Sequence, residues 1–129
     1  MAIHPSDPTH PIGVLVVEDE MLIRMLAVDF LTEAGYAVLE SPHGDHAFDT
    51  LLAKGAEVHI LFSDIDMPGT MSGLVLARYA RRRWPWISII LTSGKLKPPA
   101  HEMHRDTRFL PKPYNINHVL THCQELSGR

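Results

Sequence analysis

Cysteine is nearly absent from this chain. A single one, Cys123, stands among 129 residues, which excludes an intrachain disulfide and suits a reducing compartment. It falls in an amphipathic C-terminal segment and reads as a packed thiol. No apolar run approaches the ~20 residues that span a bilayer, and the N-terminus lacks the apolar stretch of a signal peptide, so a cytoplasmic protein without membrane contact is expected. A dominant charge is missing too: 12 Lys and Arg stand against 15 Asp and Glu, which gives no general attraction to nucleic acid. The triplet Arg81-Arg82-Arg83 reads as a solvated helix face. This length fits one domain with a substantial core.

What is present is an alternation of apolar runs with helix-like segments. Residues 1–11 hold three prolines and no apolar period and read as a flexible arm, leaving 12–129 as the folded domain. Strands are expected over 12–17, 36–39, 58–63, 86–92 and 109–110. Helices are expected after Glu20 (Leu22, Met25, Leu26, Phe30 and Leu31 recur at helical spacing, with Gly35 as the stop), over 43–54, over 71–84, weakly over 98–105, and over 115–126. Strictly alternating strands and helices imply βαβ units and a parallel sheet. The six methionines read as core filler. The nine histidines read as surface residues, because the pairs His43/His46, His101/His104 and His118/His122 lack an obvious third metal ligand.

Chemistry-bearing residues sit where these strands end. Glu18-Asp19-Glu20 follows Val14-Leu15-Val16-Val17, Asp64 closes the run 58–62, Thr92 ends Ile89-Ile90-Leu91, and Lys112 follows Phe109-Leu110-Pro111. Right-handed crossovers put every strand's C-terminal end on one sheet edge, the edge where open α/β sheets bind ligands. Clustered carboxylates repel unless a cation is bound, and carboxylate, carbonyl and water oxygens suit Mg²⁺. A lysine and a hydroxyl beside that metal can neutralise and hydrogen-bond a phosphoryl group, and a carboxylate can act as the nucleophile. Glu20 reads as a first-turn acid favoured by the helix dipole.

The segments Val-Val-Glu-Asp-Glu (16–20), Asp-Ile-Asp-Met-Pro-Gly (64–69), Leu-Thr-Ser-Gly (91–94) and Leu-Pro-Lys-Pro-Tyr (110–114), in this order, resemble the receiver domain of bacterial two-component response regulators over about 12–127. The resemblance implies a flavodoxin-like α/β fold with five parallel strands in the order 2-1-3-4-5 and five helices. It implies Asp64 as the phosphorylated aspartate, Glu18 and Asp19 as the acidic pair positioning Mg²⁺, and the Asp66 backbone carbonyl as a further ligand. Thr92 becomes the switch hydroxyl, Phe109 the aromatic switch position, and Lys112 the cation that pairs with the phosphoryl group. Lys112–Pro113 becomes the candidate cis peptide. The implied partners are a histidine kinase or phosphotransfer protein upstream and, since no output domain follows, a protein partner or a second copy downstream. The chain is then a phosphoacceptor that assists only its own phosphorylation and dephosphorylation, not an enzyme acting on other substrates.

Two departures stand out. The loop 67–73 is one residue longer than the commonest family form, and Phe109 replaces the frequent Tyr. The alternatives are a haloacid-dehalogenase-type phosphatase, whose Asp-x-Asp motif Asp64-Ile65-Asp66 matches superficially, the receiver part of a hybrid histidine kinase, and a receiver fold that has lost phosphorylation.

Overall fold

The structure, a computed structural model, describes residues 10–128. The arm expected over residues 1–11 lies outside them apart from His10 and Pro11. The elements are β1 (Gly13–Val17), α1 (Met21–Glu33), β2 (Ala37–Ser41), α2 (Gly44–Lys54), β3 (Ile60–Asp64), α3 (Gly73–Arg83), β4 (Ser88–Ser93), β5 (Arg108–Pro111) and α4 (Ile116–Ser127), with short 3-10 turns at Gly55–Glu57 and Ala100–Glu102. The sheet is parallel in every pairing and runs β2-β1-β3-β4-β5.

Side chains alternate across a strand, and here that alternation divides the core in two. Val14, Val16, Ile60, Phe62, Ile90 and Leu110 face α1 and α4, meeting Ala27, Leu31, Val119 and Cys123. Leu15, Val17, Leu61, Ile89 and Leu91 face α2 and α3, meeting Ala47, Leu51, Leu76, Ala80 and Trp84. Both faces of β1 and β3 are covered, so each of those strands is buried throughout. Each fully buried Leu or Ile stabilises the fold by roughly 1.5–3 kcal/mol.

The helix ends follow their local chemistry. Ser72 and Asn115 cap α3 and α4, accepting from the amides of Val75 and Asn117. His43 caps α2 through Nδ1, which accepts from the His46 amide at 3.2 Å. Gly35 ends α1 at φ +99°, a conformation that favours glycine.

The structure corrects the sequence reading in several places. The fourth expected helix, over 98–105, is only the 3-10 turn Ala100–Glu102, so the described residues form four α-helices where five were expected. Pro98 and Pro99 supply no backbone donors there, and by Met103 the chain is already extended. The face beside β5 is therefore built from an irregular connection, β5 and α4. Met21, Leu22, Met25 and Leu26 are exposed by 47–71% and are not core filler: α1 buries Ala27 and Leu31 and turns a second apolar stripe outward. His59 is buried, and its Nδ1 accepts from the Gly13 amide at 2.9 Å.

Candidate functional site

The C-terminal ends of β1, β3, β4 and β5 meet at one edge. Beyond β1, the Glu18 amide extends the ladder by bonding the Ser41 carbonyl at 3.1 Å. This drives the Glu18 side chain inward, where it is 3% exposed, while the neighbouring Asp19 stays exposed. Arg24 of α1 holds the turn by donating to the Glu18 carbonyl at 2.8 Å and pairing with Glu40 at 3.0 Å. Glu20 forms the start of α1 without a side-chain cap, and its amide donates to Glu18 Oε2 at 3.0 Å.

Asp64 ends β3, 5% exposed. The Asp66 amide donates to its Oδ1 at 3.1 Å, and the Lys112 ammonium reaches its Oδ2 at 3.0 Å and Glu18 Oε1 at 2.7 Å. A single cation therefore joins two buried carboxylates from strands far apart in sequence. Glu18, Asp19 and Asp64 each offer an oxygen within 4.8 Å of the others, so a hard divalent ion with oxygen ligands fits the donor set. Burial raises the Glu18 pKa, with the hydrogen bond from Lys112 opposing it. For Lys112 burial acts downward, but its bonds to Glu18 and Asp64 outweigh that and hold the ammonium charged. Burial beside the same acids also pushes the Tyr114 phenol up to about 12.

Thr92 lies directly across from Asp64 in the β3–β4 register. Its hydroxyl is buried and has no hydrogen-bond partner among the described residues, which is costly unless a ligand supplies an acceptor. Phe109 is half-buried against the α2–α3 core. The β4–β5 register pairs Phe109 with Leu91 and Thr92 with Leu110, so the two expected switch residues stand diagonally. Lys112 is positioned by a hydrogen bond from its amide to the Ser93 carbonyl at 2.8 Å, and the Lys112–Pro113 peptide that follows is cis.

Other residues complete the edge. Ser93 Oγ donates to the Asp66 carboxylate at 2.6 Å and accepts from the Lys95 amide at 3.0 Å, while the Lys95 ammonium lies 3.5 Å from Asp66. The Asp66 side chain is thereby tied to the β4 loop. The loop 67–73 turns at Gly69, φ +99°, and is latched to α2 where Thr70 donates its amide and hydroxyl to Asp45 at 3.2 and 2.8 Å. Gly73 passes so close beneath the site that a Cβ there would sit 2.2 Å from the Asp64 carbonyl oxygen. Arg24, Ser93 as a tether for Asp66, and the Asp45 latch carried no sequence signal, because each depends on a partner 16 to 27 residues away.

The sequence profile described as the response regulator receiver domain matches residues 14–124. A chemotaxis protein CheY homologue of Campylobacter jejuni is 41% identical over 120 residues, covering 88% of this chain and 91% of that protein. The sensor kinase CckA of Brucella abortus is 37% identical over 88% of this chain but only 12% of its own length. The chain spans about half or less of several other curated relatives. In structure, a response regulator receiver protein from Sinorhizobium medicae superposes with TM-score 0.86 at 26% identity, covering 93% of this chain and 97% of that one. Acid pair, buried aspartate, hydroxyl and lysine thus meet at the edge of a five-stranded parallel sheet whose sequence and fold both match one family: the chain belongs to the response regulator receiver domains of two-component signal transduction.

Proposed function

We propose that Asp64 accepts a phosphoryl group from a phosphohistidine on a histidine kinase or phosphotransfer protein. An Asp64 carboxylate oxygen attacks phosphorus in line. The P–N bond breaks with its electron pair on the imidazole, which leaves neutral once its other nitrogen is protonated, and an aspartyl phosphate forms. Glu18, Asp19, Asp64 and the Asp66 carbonyl would hold Mg²⁺, which supplies charge neutralisation for the phosphoryl oxygens. Lys112, already beside Asp64, pairs with the new charge, and the Thr92 hydroxyl donates to it. The observation that carries this reading is the unpartnered Thr92 hydroxyl in register with Asp64: it is a buried donor awaiting an oxyanion.

The exposed stripe of Met21, Leu22, Met25 and Leu26 on α1, beside an apolar groove of about 680 Å³ that reaches Lys112 and Pro113, gives the phosphodonor a docking surface next to Asp64. The Thr92–Phe109 pair then biases the face built from the β4–β5 connection, β5 and α4, to which a downstream protein or a second copy binds. We place this activity in the cytoplasm, within one functional domain over 12–129, and without turnover of other substrates. A second context, the receiver of a hybrid kinase, is favoured by the 37% identity to part of a sensor kinase; the chemistry at Asp64 is the same.

The test is incubation with acetyl phosphate and Mg²⁺, followed by intact-mass measurement. One phosphoryl adduct is expected on the wild type and none on Asp64→Asn. Undiminished labelling of that variant excludes Asp64 as the acceptor.

A further inference from the structure

On the side of α3 away from Phe48 of α2, Leu74, Ala77, Arg78, Arg81 and Arg82 recur at spacings of three and four residues and form one stripe. Opposite them runs the β4–β5 connection, irregular but for its one 3-10 turn. Between the two lies a cavity of about 250 Å³ with Ile89 and Leu91 in its lining. Its charge is one-sided. Three guanidiniums line it against a single carboxylate, Glu102, which sits 4.0 Å from His101. Among the described residues none of the three arginines has an ion-pair or side-chain hydrogen-bond partner, and Arg81 Nε is buried without one.

The negative end of the α3 dipole explains why basic residues are tolerated in its last turn, and Arg83 finds a place over the Phe48 and Trp84 rings. Neither fact accounts for a buried, unpaired guanidinium donor, which is unfavourable when left unsatisfied. A guanidinium is weakly hydrated, stays charged, and matches phosphate oxygens with a planar fork of donors. The volume is below the roughly 300–1,000 Å³ of ordinary organic-ligand pockets and suits a group of phosphate or diphosphate size.

We propose that this cavity binds a small oxyanion carrying one or two phosphate groups, gripped by Arg78, Arg81 and Arg82. It is separate from the Asp64 site and does not depend on the phosphoacceptor reading.

The test is a titration of the metal-free full chain with inorganic pyrophosphate at low ionic strength, followed by calorimetry and by ¹⁵N–¹H NMR including the arginine Nε–H signals. A parallel arm with ADP separates a free diphosphate from a nucleotide as the source of the group. Saturable shifts confined to residues 74–82 and 101–107, with a moving Arg81 Nε–H signal, are expected from pyrophosphate, from ADP or from both. Arg81→Gln should weaken binding at least about ten-fold, the size of one lost charge-assisted hydrogen bond, and the exposed Arg78→Gln, which leaves the core untouched, should do the same. Arg83→Gln serves as the control for surface charge and should change affinity by less than about two-fold. Lack of saturation with both probes, shifts spread over all basic residues, or equal losses in the Arg83 and Arg78 variants would overturn the proposal.

Discussion

Replacing Lys112 with Met tests whether one ammonium holds the acidic edge together. In the wild type that group lies 2.7 Å from Glu18 and 3.0 Å from Asp64, whose side chains are each only 5% exposed. Met keeps much of the aliphatic stem but leaves two buried carboxylates facing each other without a counter-charge. Stripping one partner from a buried ion pair costs about 3–5 kcal/mol; with the ammonium itself 16% exposed, the lower end, about 3 kcal/mol, is expected. In metal-free urea unfolding at pH 7, with a slope of roughly 1–2 kcal/mol per M, the midpoint should fall by about 1.5–3 M.

Two conditions should restore stability to the variant. Mg²⁺ at a hundred times its dissociation constant adds about 2.7 kcal/mol through linkage, replacing the lost cation. Acidification should help as well. Burial raises the folded-state pKa of Glu18 above its unfolded value of 4.5, so the folded state binds the proton more tightly and the burial penalty on the carboxylate shrinks as pH falls toward that value. Removing Lys112 takes away an opposing influence and enlarges the effect. A variant with an unchanged midpoint, or one whose lowered midpoint ignores both Mg²⁺ and pH between 7 and 5, would refute the electrostatic account of the edge.

Gly73→Ala should cost at least about 2 kcal/mol in the same urea assay, since its Cβ would sit 2.2 Å from the Asp64 carbonyl oxygen and the backbone must shift; a wild-type midpoint would show that the close approach is not rigid. Cys123 is fully buried, and burial pushes its thiol up to about 12, so Ellman's reagent at pH 8 should label it only at the rate of unfolding. Labelling as fast in native buffer as in denaturant would contradict that. His122 has its pKa lowered, first by burial and then by the Arg108 guanidinium. Its folded-state pKa is below the unfolded value, so its contribution is present above pH 6.5 and is lost as pH falls. An NMR titration should find it protonating below 6.5, and Arg108→Ala should move that midpoint upward; no movement would remove the arginine as a cause.

Local chemistry sufficed for much of the fold. The runs ending at Val17, Asp64 and Ser93 are strands because both of their faces are apolar, and Gly35 stops α1 because it takes φ +99° without strain. Period failed where an element carries two apolar faces. The residues Leu22, Met25 and Leu26 mark α1 as a helix, yet the residues it buries are Ala27 and Leu31. It failed again at 98–105, where helical spacing could not report that Pro98 and Pro99 leave the first turn without donors and that only one 3-10 turn forms.

The sequence by itself determined the kinds of groups at the strand ends (Glu18, Asp19, Asp64, Thr92 and Lys112) and the parallel alternation that would bring such ends to one edge. Only the tertiary structure decided how they face one another. Lys112 spans both Glu18 and Asp64, Thr92 is left a donor without an acceptor, Ser93 holds Asp66, and three arginines of α3 line one side of a cavity facing the β4–β5 connection. The physical reason is range. Propensity and patterning act over a few residues, whereas the Lys112 contacts to Asp64 and Glu18 join positions 48 and 94 apart, and such pairings exist only once the core has closed.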